Sequence, residues 1–260
     1  MTWLSHPFIL KLHYCFQTKS KVYMVLDLVT GGDLYYNLRK EESGQFSDER
    51  VRFYAAQLVV ILEHLHEKRI LYRDIKPENL LIKKNGYLIL CDFGLAKAEM
   101  SKQARTSTFC GTEEYYSPEM ILGKEYGLYV DWWQMGTLMY ELLTGNLPFY
   151  HENEGKMYKL IVEGALEFPD YVNKDTIDII SKLLEKDPQT RLQDPAEIKK
   201  HPYFNGINWV KLVKQEIKAP FIPTPINPEE ICFVDDQYSD DTNDSELVID
   251  WPGFEYASPN

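Results

Sequence analysis

Cysteine is scarce in this chain of 260 residues. There are four, at positions 15, 91, 110 and 232, with neither paired nor metal-ligand spacing. That argues against a disulfide framework and makes a reduced cytosolic or nuclear setting the default. Long apolar runs are also missing. No stretch approaches the roughly 18 residues of a membrane span, and the N-terminus lacks a signal-peptide layout. Basic residues are missing where acidic ones concentrate: no Lys or Arg follows Lys218, while residues 219–260 hold ten Asp and Glu. Most of the net charge of −12 therefore belongs to a tail. The body is close to neutral, and the basic footprint of a nucleic-acid binder is absent. No Gly-x-Gly-x-x-Gly occurs anywhere.

What is present is a globular body. Hydrophobic residues make up 44% of the chain, with 18 Tyr and 12 Phe, and the length suits one large or two modest domains. Residues 21–29 read as a strand ended by Gly31-Gly32. Ser47 reads as a helix N-cap, with Asp48 and Glu49 in the first turn. Apolar residues then recur at 51, 54, 55, 58, 62 and 65, the spacing of a helix face. Residues 130–143 are apolar nearly all round and stop at Gly145, as in a helix buried in a core. Further helical stretches lie near 155–164, 173–186 and 195–200. The class is α+β, mostly helical, with two small sheet elements.

Two short apolar runs flank Asn85-Gly86, the strongest short-range signal for a two-residue hairpin turn. With regular register Asn79 and Asp92 are equidistant from that turn and become cross-strand neighbours, about 5 Å apart. Asp74 and Lys76 lie just upstream in Tyr72-Arg73-Asp74-Ile75-Lys76-Pro77-Glu78-Asn79. Hard oxygen donors suit Mg²⁺, which binds one or two protein oxygens plus substrate phosphates. A carboxylate that binds no metal is suited to accept a proton from an attacking hydroxyl. Together these residues point to phosphoryl transfer, where catalysis is mostly positioning and electrostatics. Asp and Asn also end strands through local hydrogen bonds, but that reading leaves their joint spacing unexplained.

The string Arg73-Asp74-x-x-x-x-Asn79, then Asp92-Phe93-Gly94, then Ser117-Pro118-Glu119 resembles the catalytic loop, metal loop and activation-segment end of eukaryotic protein kinases. Tyr72 before Arg-Asp, Thr108-Phe109-Cys110-Gly111-Thr112 and Asp131-Trp132-Trp133 are similar to the AGC group, and within it to the Akt, serum/glucocorticoid-regulated and ribosomal-S6 kinase branch. The resemblance implies a protein-kinase-like fold: a small-lobe remnant over 1–28, a mostly helical large lobe over 29–204 and a C-terminal regulatory tail over 205–260.

It also implies roles. Asp74 is the general base, Lys76 contacts the γ-phosphate of ATP, and Asn79 and Asp92 bind Mg²⁺. Leu26 is the gatekeeper, with the backbone of Asp27 and Val29 as hinge. Asp33 meets the ribose, Leu81 packs under adenine, and Cys91 adjoins the site as a small buried thiol. Asp33, Glu78 and Glu141 are expected to read arginine ahead of the target Ser or Thr. Thr112 bonds base and lysine. Thr108 is the expected target of an upstream activation-loop kinase, with Arg73 and Lys97 as its cationic partners. Glu119 and Arg191 are expected to form a buried ion pair, and Asp131 to hold the catalytic-loop backbone. One departure stands out: Glu113 replaces the proline usual after Gly-Thr.

The tail carries the same resemblance. Pro220-Phe221-Ile222-Pro223 and Asp235-Asp236-Gln237-Tyr238-Ser239 are similar to elements that cross the lobes. Trp251, Phe254, Glu255 and Tyr256 resemble the hydrophobic motif, with Glu255 at the usual phosphosite. The Gly-rich loop, the Val-Ala-Ile-Lys strand and its partner glutamate are not in the sequence. Three readings follow: part of a longer product, a non-catalytic scaffold, or a kinase with a substitute lysine among Lys11, Lys19 and Lys21. The first is the expectation, and with it weak ATP and Mg²⁺ binding by this stretch alone.

Overall fold

The computed structural model describes residues 4–18, 21–227 and 256–257. Strands β1 (Leu12–Gln17) and β2 (Val22–Leu26) open it as an antiparallel pair. The strand is shorter than the apolar run over 21–29: the chain leaves the sheet after Leu26 and exposes Leu28. Helix α1 (Leu34–Lys40), which the apolar spacing did not signal, starts at Asp33, whose carboxylate accepts from the Tyr36 amide at 2.6 Å. Helix α2 (Asp48–Glu67) starts where the Ser47 hydroxyl accepts from the Arg50 amide at 3.3 Å. Asp48 and Glu49 then face the positive end of the helix dipole.

Strands β3 (Leu80–Ile82) and β4 (Leu88–Leu90) form the second hairpin. The body continues through α3 (Pro118–Ile121), α4 (Val130–Thr144), α5 (Glu154–Glu163), α6 (Lys174–Leu183), α7 (Pro195–Lys200) and α8 (Trp209–Val213). Strand β5 (Tyr256–Ala257) pairs antiparallel with β1 on the edge opposite β2. Helix α4 is the centre of the core and packs against α2 and α6. It ends at Gly145, whose left-handed φ of 72° lets its amide donate to the Glu141 carbonyl at 2.8 Å. One core cluster runs from Phe8 to Ala219, and a smaller one joins Leu71, Met100, Tyr116, Met120, Tyr126 and Val130.

The hairpin register differs from the expected one. Leu80 pairs with Leu90 and Ile82 with Leu88, so Asn79 lies opposite Cys91 and Asp92 falls one position further on. The cause is the loop. Lys83 donates its amide to the Tyr87 carbonyl at 2.7 Å, and Gly86 donates to the Lys83 carbonyl at 2.8 Å. Gly86 takes a φ of 83°, so the connection is a three-residue loop with glycine in the left-handed position, not a two-residue turn. A Cβ on Gly86 would lie 2.2 Å from the Phe221 carbonyl oxygen. Gly86→Ala is therefore expected to cost about 2 kcal/mol, from the left-handed backbone alone plus displacement of residues 219–222. An unchanged urea midpoint would refute this.

The tail beyond α8 is sewn to the body. The Tyr87 hydroxyl donates to the Ile217 carbonyl at 2.6 Å and accepts from its amide at 3.0 Å. The Arg50 guanidinium lies between the Phe46 and Phe221 rings, 3.6 and 3.5 Å from their centroids. Ile226 donates to the Thr30 carbonyl at 2.8 Å, which carries the tail to the segment after β2. Residues 235–239, Trp251, Phe254 and Glu255 lie outside the described residues. Tyr256 lies in β5, in register with Cys15.

Candidate active site

The loop between α2 and β3 is held from below by α4. The Asp131 carboxylate accepts from the Tyr72 amide (3.1 Å), the Arg73 amide (2.8 Å) and the His66 ring (2.8 Å). Gln134 donates to the Arg73 carbonyl at 2.8 Å and accepts from the Ile75 amide at 3.1 Å. These bonds fix Arg73 at a φ of 72°, a conformation that costs a side chain other than glycine roughly 1–2 kcal/mol. The next residue is Asp74.

Asp74 is 5% exposed, and donors surround its carboxylate. Asn79 Nδ2 lies 2.7 Å from Oδ2 and 2.8 Å from the Asp74 carbonyl. Lys76 Nζ lies 3.1 Å from Oδ2. Thr112 donates to Oδ1 at 3.1 Å and accepts from Lys76 Nζ at 3.0 Å. Asp74, Lys76 and Thr112 thus form a closed set, and each position is fixed by the other two.

Asn79 spends its amide hydrogens on Asp74, and its side-chain oxygen has no partner among the described residues. Asp92 has a φ of 49° and accepts from the Gly94 amide through Oδ1 at 2.9 Å, which leaves Oδ2 open. The Asn79–Cys91 pairing, made through a 3.0 Å bond from the Cys91 amide to the Asn79 carbonyl, brings the two residues to one end of the hairpin. One amide oxygen and one carboxylate oxygen fit Mg²⁺, which takes its remaining ligands from phosphate and water. Among the described residues no group of three or more His, Cys, Asp or Glu is placed to hold a metal.

The segment expected to meet adenine lies at the end of β2. Asp27 donates its amide to the Lys11 carbonyl at 3.2 Å, while its own carbonyl and the Val29 amide have no backbone partner among the described residues. Leu26 is partly exposed. Leu81 is the half-buried member of β3, between fully buried Leu80 and Ile82. The half-buried Cys91 thiol lies 3.4 Å from the Asn79 carbonyl, and burial first, then Asp92 and Asp33, pushes it up to about 11. It is a protonated thiol at neutral pH. Asp33 uses one oxygen as the α1 cap. Lys11 and Lys21 are exposed and form no ion pair among the described residues, and Lys19 lies outside them.

The family model of the protein kinase domain matches residues 1–204. The chain belongs to the protein kinase family. It is similar to a RAC family serine/threonine-protein kinase homolog of Dictyostelium discoideum, 44% identical over 92% of this chain and 53% of that protein. It is likewise similar to the serine/threonine-protein kinase sgk-1 of Caenorhabditis elegans (44%, over 90% and 51%) and to ribosomal protein S6 kinase 2 alpha of Gallus gallus (39%, over 92% and 32%). These names lie in the AGC branch that the motifs resemble. The chain spans about half the length of the curated relatives it matches most strongly.

Around the kinase centre, three carboxylates converge on Tyr115. Its hydroxyl donates to Glu141, and Glu78 and Glu114 act on the same hydroxyl through space, so burial and these charges raise it well above the ordinary tyrosine value. Burial also raises Glu141, against the Tyr115 bond, and Glu78 and Glu114 push it the same way.

In the activation segment Thr108 is exposed and Thr106 is buried. Lys97 donates to the Thr106 hydroxyl at 2.8 Å, which lies 3.3 Å from the Thr108 hydroxyl. Lys97 thus reaches Thr108 through Thr106, not directly. Arg73 spends Nε on the Leu95 carbonyl at 2.7 Å, while its buried Nη1 has no hydrogen-bond partner among the described residues.

The expected Glu119–Arg191 pair is present, bidentate at 2.6 and 2.8 Å and almost wholly buried. Two positioning residues were absent from the sequence reading: Gln134, and Gln57, whose Oε1 accepts from the Leu88 amide of β4 at 2.8 Å. Each is an amide in an otherwise apolar helix face. A buried polar residue needs a partner, and that was the available signal.

Proposed function

We propose that this chain is the catalytic part of an ATP-dependent protein serine/threonine kinase acting on peptides with arginine upstream of the acceptor. The observation that carries it is the closed set of Asp74, Lys76 and Thr112 beside Asn79. Asp74 takes the hydroxyl proton as the acceptor oxygen bonds to the γ-phosphorus and the bond to the β,γ-bridging oxygen breaks, so ADP leaves. Lys76 faces the phosphoryl group as it moves. Asn79 and Asp92 would hold Mg²⁺, which would supply charge neutralisation on the phosphates. The Asp27 carbonyl and Val29 amide meet adenine.

The convergence of Glu78 and Glu141 on Tyr115 supports a basic substrate. An exposed Thr108, whose carbonyl accepts from the Tyr126 hydroxyl on which Arg73 also acts, supports phosphorylation there by an upstream kinase. A cytosolic or nuclear setting completes the reading. No helix among the described residues is long and apolar enough to cross a membrane.

The test uses the full-length gene product and a serine peptide with arginine three residues upstream. Transfer is expected to require Mg²⁺, and Asp92→Asn is expected to lower it on the order of a hundredfold or more. Transfer that survives chelation of Mg²⁺, or that ignores the upstream arginine, would overturn the corresponding part of the proposal.

A further inference from the structure

Asp131 and Gln134 lie three positions apart on α4, hence on one face, and both are 0% exposed. They divide the catalytic loop between them. Asp131 takes the Tyr72 and Arg73 amides. Gln134 takes the Arg73 carbonyl and the Ile75 amide, at 2.8 and 3.1 Å. Those two groups belong to the peptide units on either side of the Asp74 Cα. A planar amide offers a donor and an acceptor in fixed relation. One side chain therefore sets the backbone on both flanks of the residue proposed as base. Being wholly buried, Gln134 meets no substrate.

The activation segment reaches the same two residues by a different route. Thr112 donates to Asp74 Oδ1 at 3.1 Å, and a Cβ on Gly111 would lie 2.9 Å from the Arg73 carbonyl oxygen. The two holds differ in footing. Gln134 sits among core residues, with Met135 and Leu138 at 0% exposure. Ser107, Thr108 and Phe109 are exposed, and Gly111 and Thr112 are half-buried. Segments of that kind open at lower free energy than core helices. When the segment opens, Thr112 leaves the carboxylate, while both bonds to Gln134 remain. Without Gln134 the Arg73 carbonyl and the Ile75 amide would lose their partner in a buried setting. The loop would relieve that loss by leaving the left-handed φ of 72° at Arg73. Among the described residues outside 72–79, Thr112 would then be the one still bonded to Asp74.

We infer that Gln134 is a positioning residue for the reaction: it keeps the Asp74 backbone in the transfer geometry independently of the activation segment. Transfer then tolerates loss of the Thr112 contact while Gln134 is in place, and fails when both are gone. The inference rests on the proposed phosphoryl transfer at Asp74.

The test is the rate of transfer in single turnover, at saturating ATP, Mg²⁺ and peptide, in the full-length gene product. Wild type, Gln134→Met, Thr112→Val and the double variant are compared. Methionine keeps the length of the side chain and removes both bonds. Each single variant is expected to lower the rate about tenfold through misplacement of the base, with KM for ATP changed less than about twofold. The double variant is expected to fall at least about tenfold below the product of the single effects, the coupling of residues that share one network. Independent structural defects would simply multiply. A double variant at that product overturns the inference, and so does a Gln134→Met enzyme as fast as wild type. A second measurement leaves Gln134 untouched, should the methionine variant not fold. Exchange of the Ile75 amide is expected to be as slow in Thr112→Val as in wild type, and exchange at least about tenfold faster overturns the inference. Wild-type enzyme that transfers no phosphate overturns the proposed function, and this inference with it.

Discussion

Replacing Asp74 by asparagine is expected to lower kcat about a thousandfold in the full-length gene product, with little change in KM for ATP. Loss of a general acid–base group typically costs 10² to 10⁴ in rate. Asparagine keeps the volume: its oxygen in the Oδ2 place accepts from Asn79 and Lys76, and its amide nitrogen in the Oδ1 place donates to the Thr112 hydroxyl. The loop therefore stays in place, anchored by Asp131 and Gln134, which bond backbone and not the Asp74 side chain. What disappears is the second oxygen and the capacity to take a proton. A fall of less than tenfold under steady-state conditions would show that Asp74 is not the proton acceptor. A matching rise in KM for ATP would show that the substitution disturbs the nucleotide site instead.

The second large effect is on stability. Arg191→Ala is expected to cost about 3–5 kcal/mol, because it leaves the Glu119 carboxylate buried without its partner. Both side chains are essentially inaccessible, and the guanidinium also donates to the Glu185 carbonyl at 2.9 Å and lies 5.0 Å from the Trp133 ring centroid. The double variant Glu119→Leu/Arg191→Met is expected to recover much of the loss, since apolar replacement of a whole buried pair is often near neutral. Denaturation of the 260-residue chain measures both. A double variant as unstable as the single one would place the cost in lost packing and backbone contacts, not in the orphaned charge.

The elements legible in the sequence were those written in local spacing. The apolar face from 51 to 65 and the Ser47 cap foretold α2, and the all-round apolar run ending at Gly145 foretold α4. Asp74, Lys76 and Asn79 were legible as well, because the chain places them within six positions of one another, whereas Thr112, 38 positions from Asp74, came only from the resemblance. The hairpin was legible as a hairpin but not in its register. Asn-Gly signals a turn, while the choice between two and three loop residues depends on whether Lys83 joins the ladder. Gly86 packs against the Phe221 backbone and Ala219, contacts far away in sequence. The Arg50 sandwich, the positive φ of Arg73 and the two amide clamps were hidden for the same reason: apart from Phe46, their partners lie 31 to 171 positions away, and single-sequence periodicity carries no such pairing. Helix α1 was hidden because its buried face, Leu34, Asn37 and Leu38, includes a polar residue and so shows no apolar stripe.

The reverse bend from Lys83 to Tyr87 works as a counting device. Each residue gained or lost there, unless the loop absorbs it, advances one strand against the other by a notch. The slip would surface at the opposite mouth of the ribbon, where Asn79 would face a different neighbour. Asp92, out of step with a regular strand, already relies on its left-handed kink to turn the chain. An insertion beside the exposed Lys84 would thus misalign the two residues proposed to hold magnesium without altering either of them.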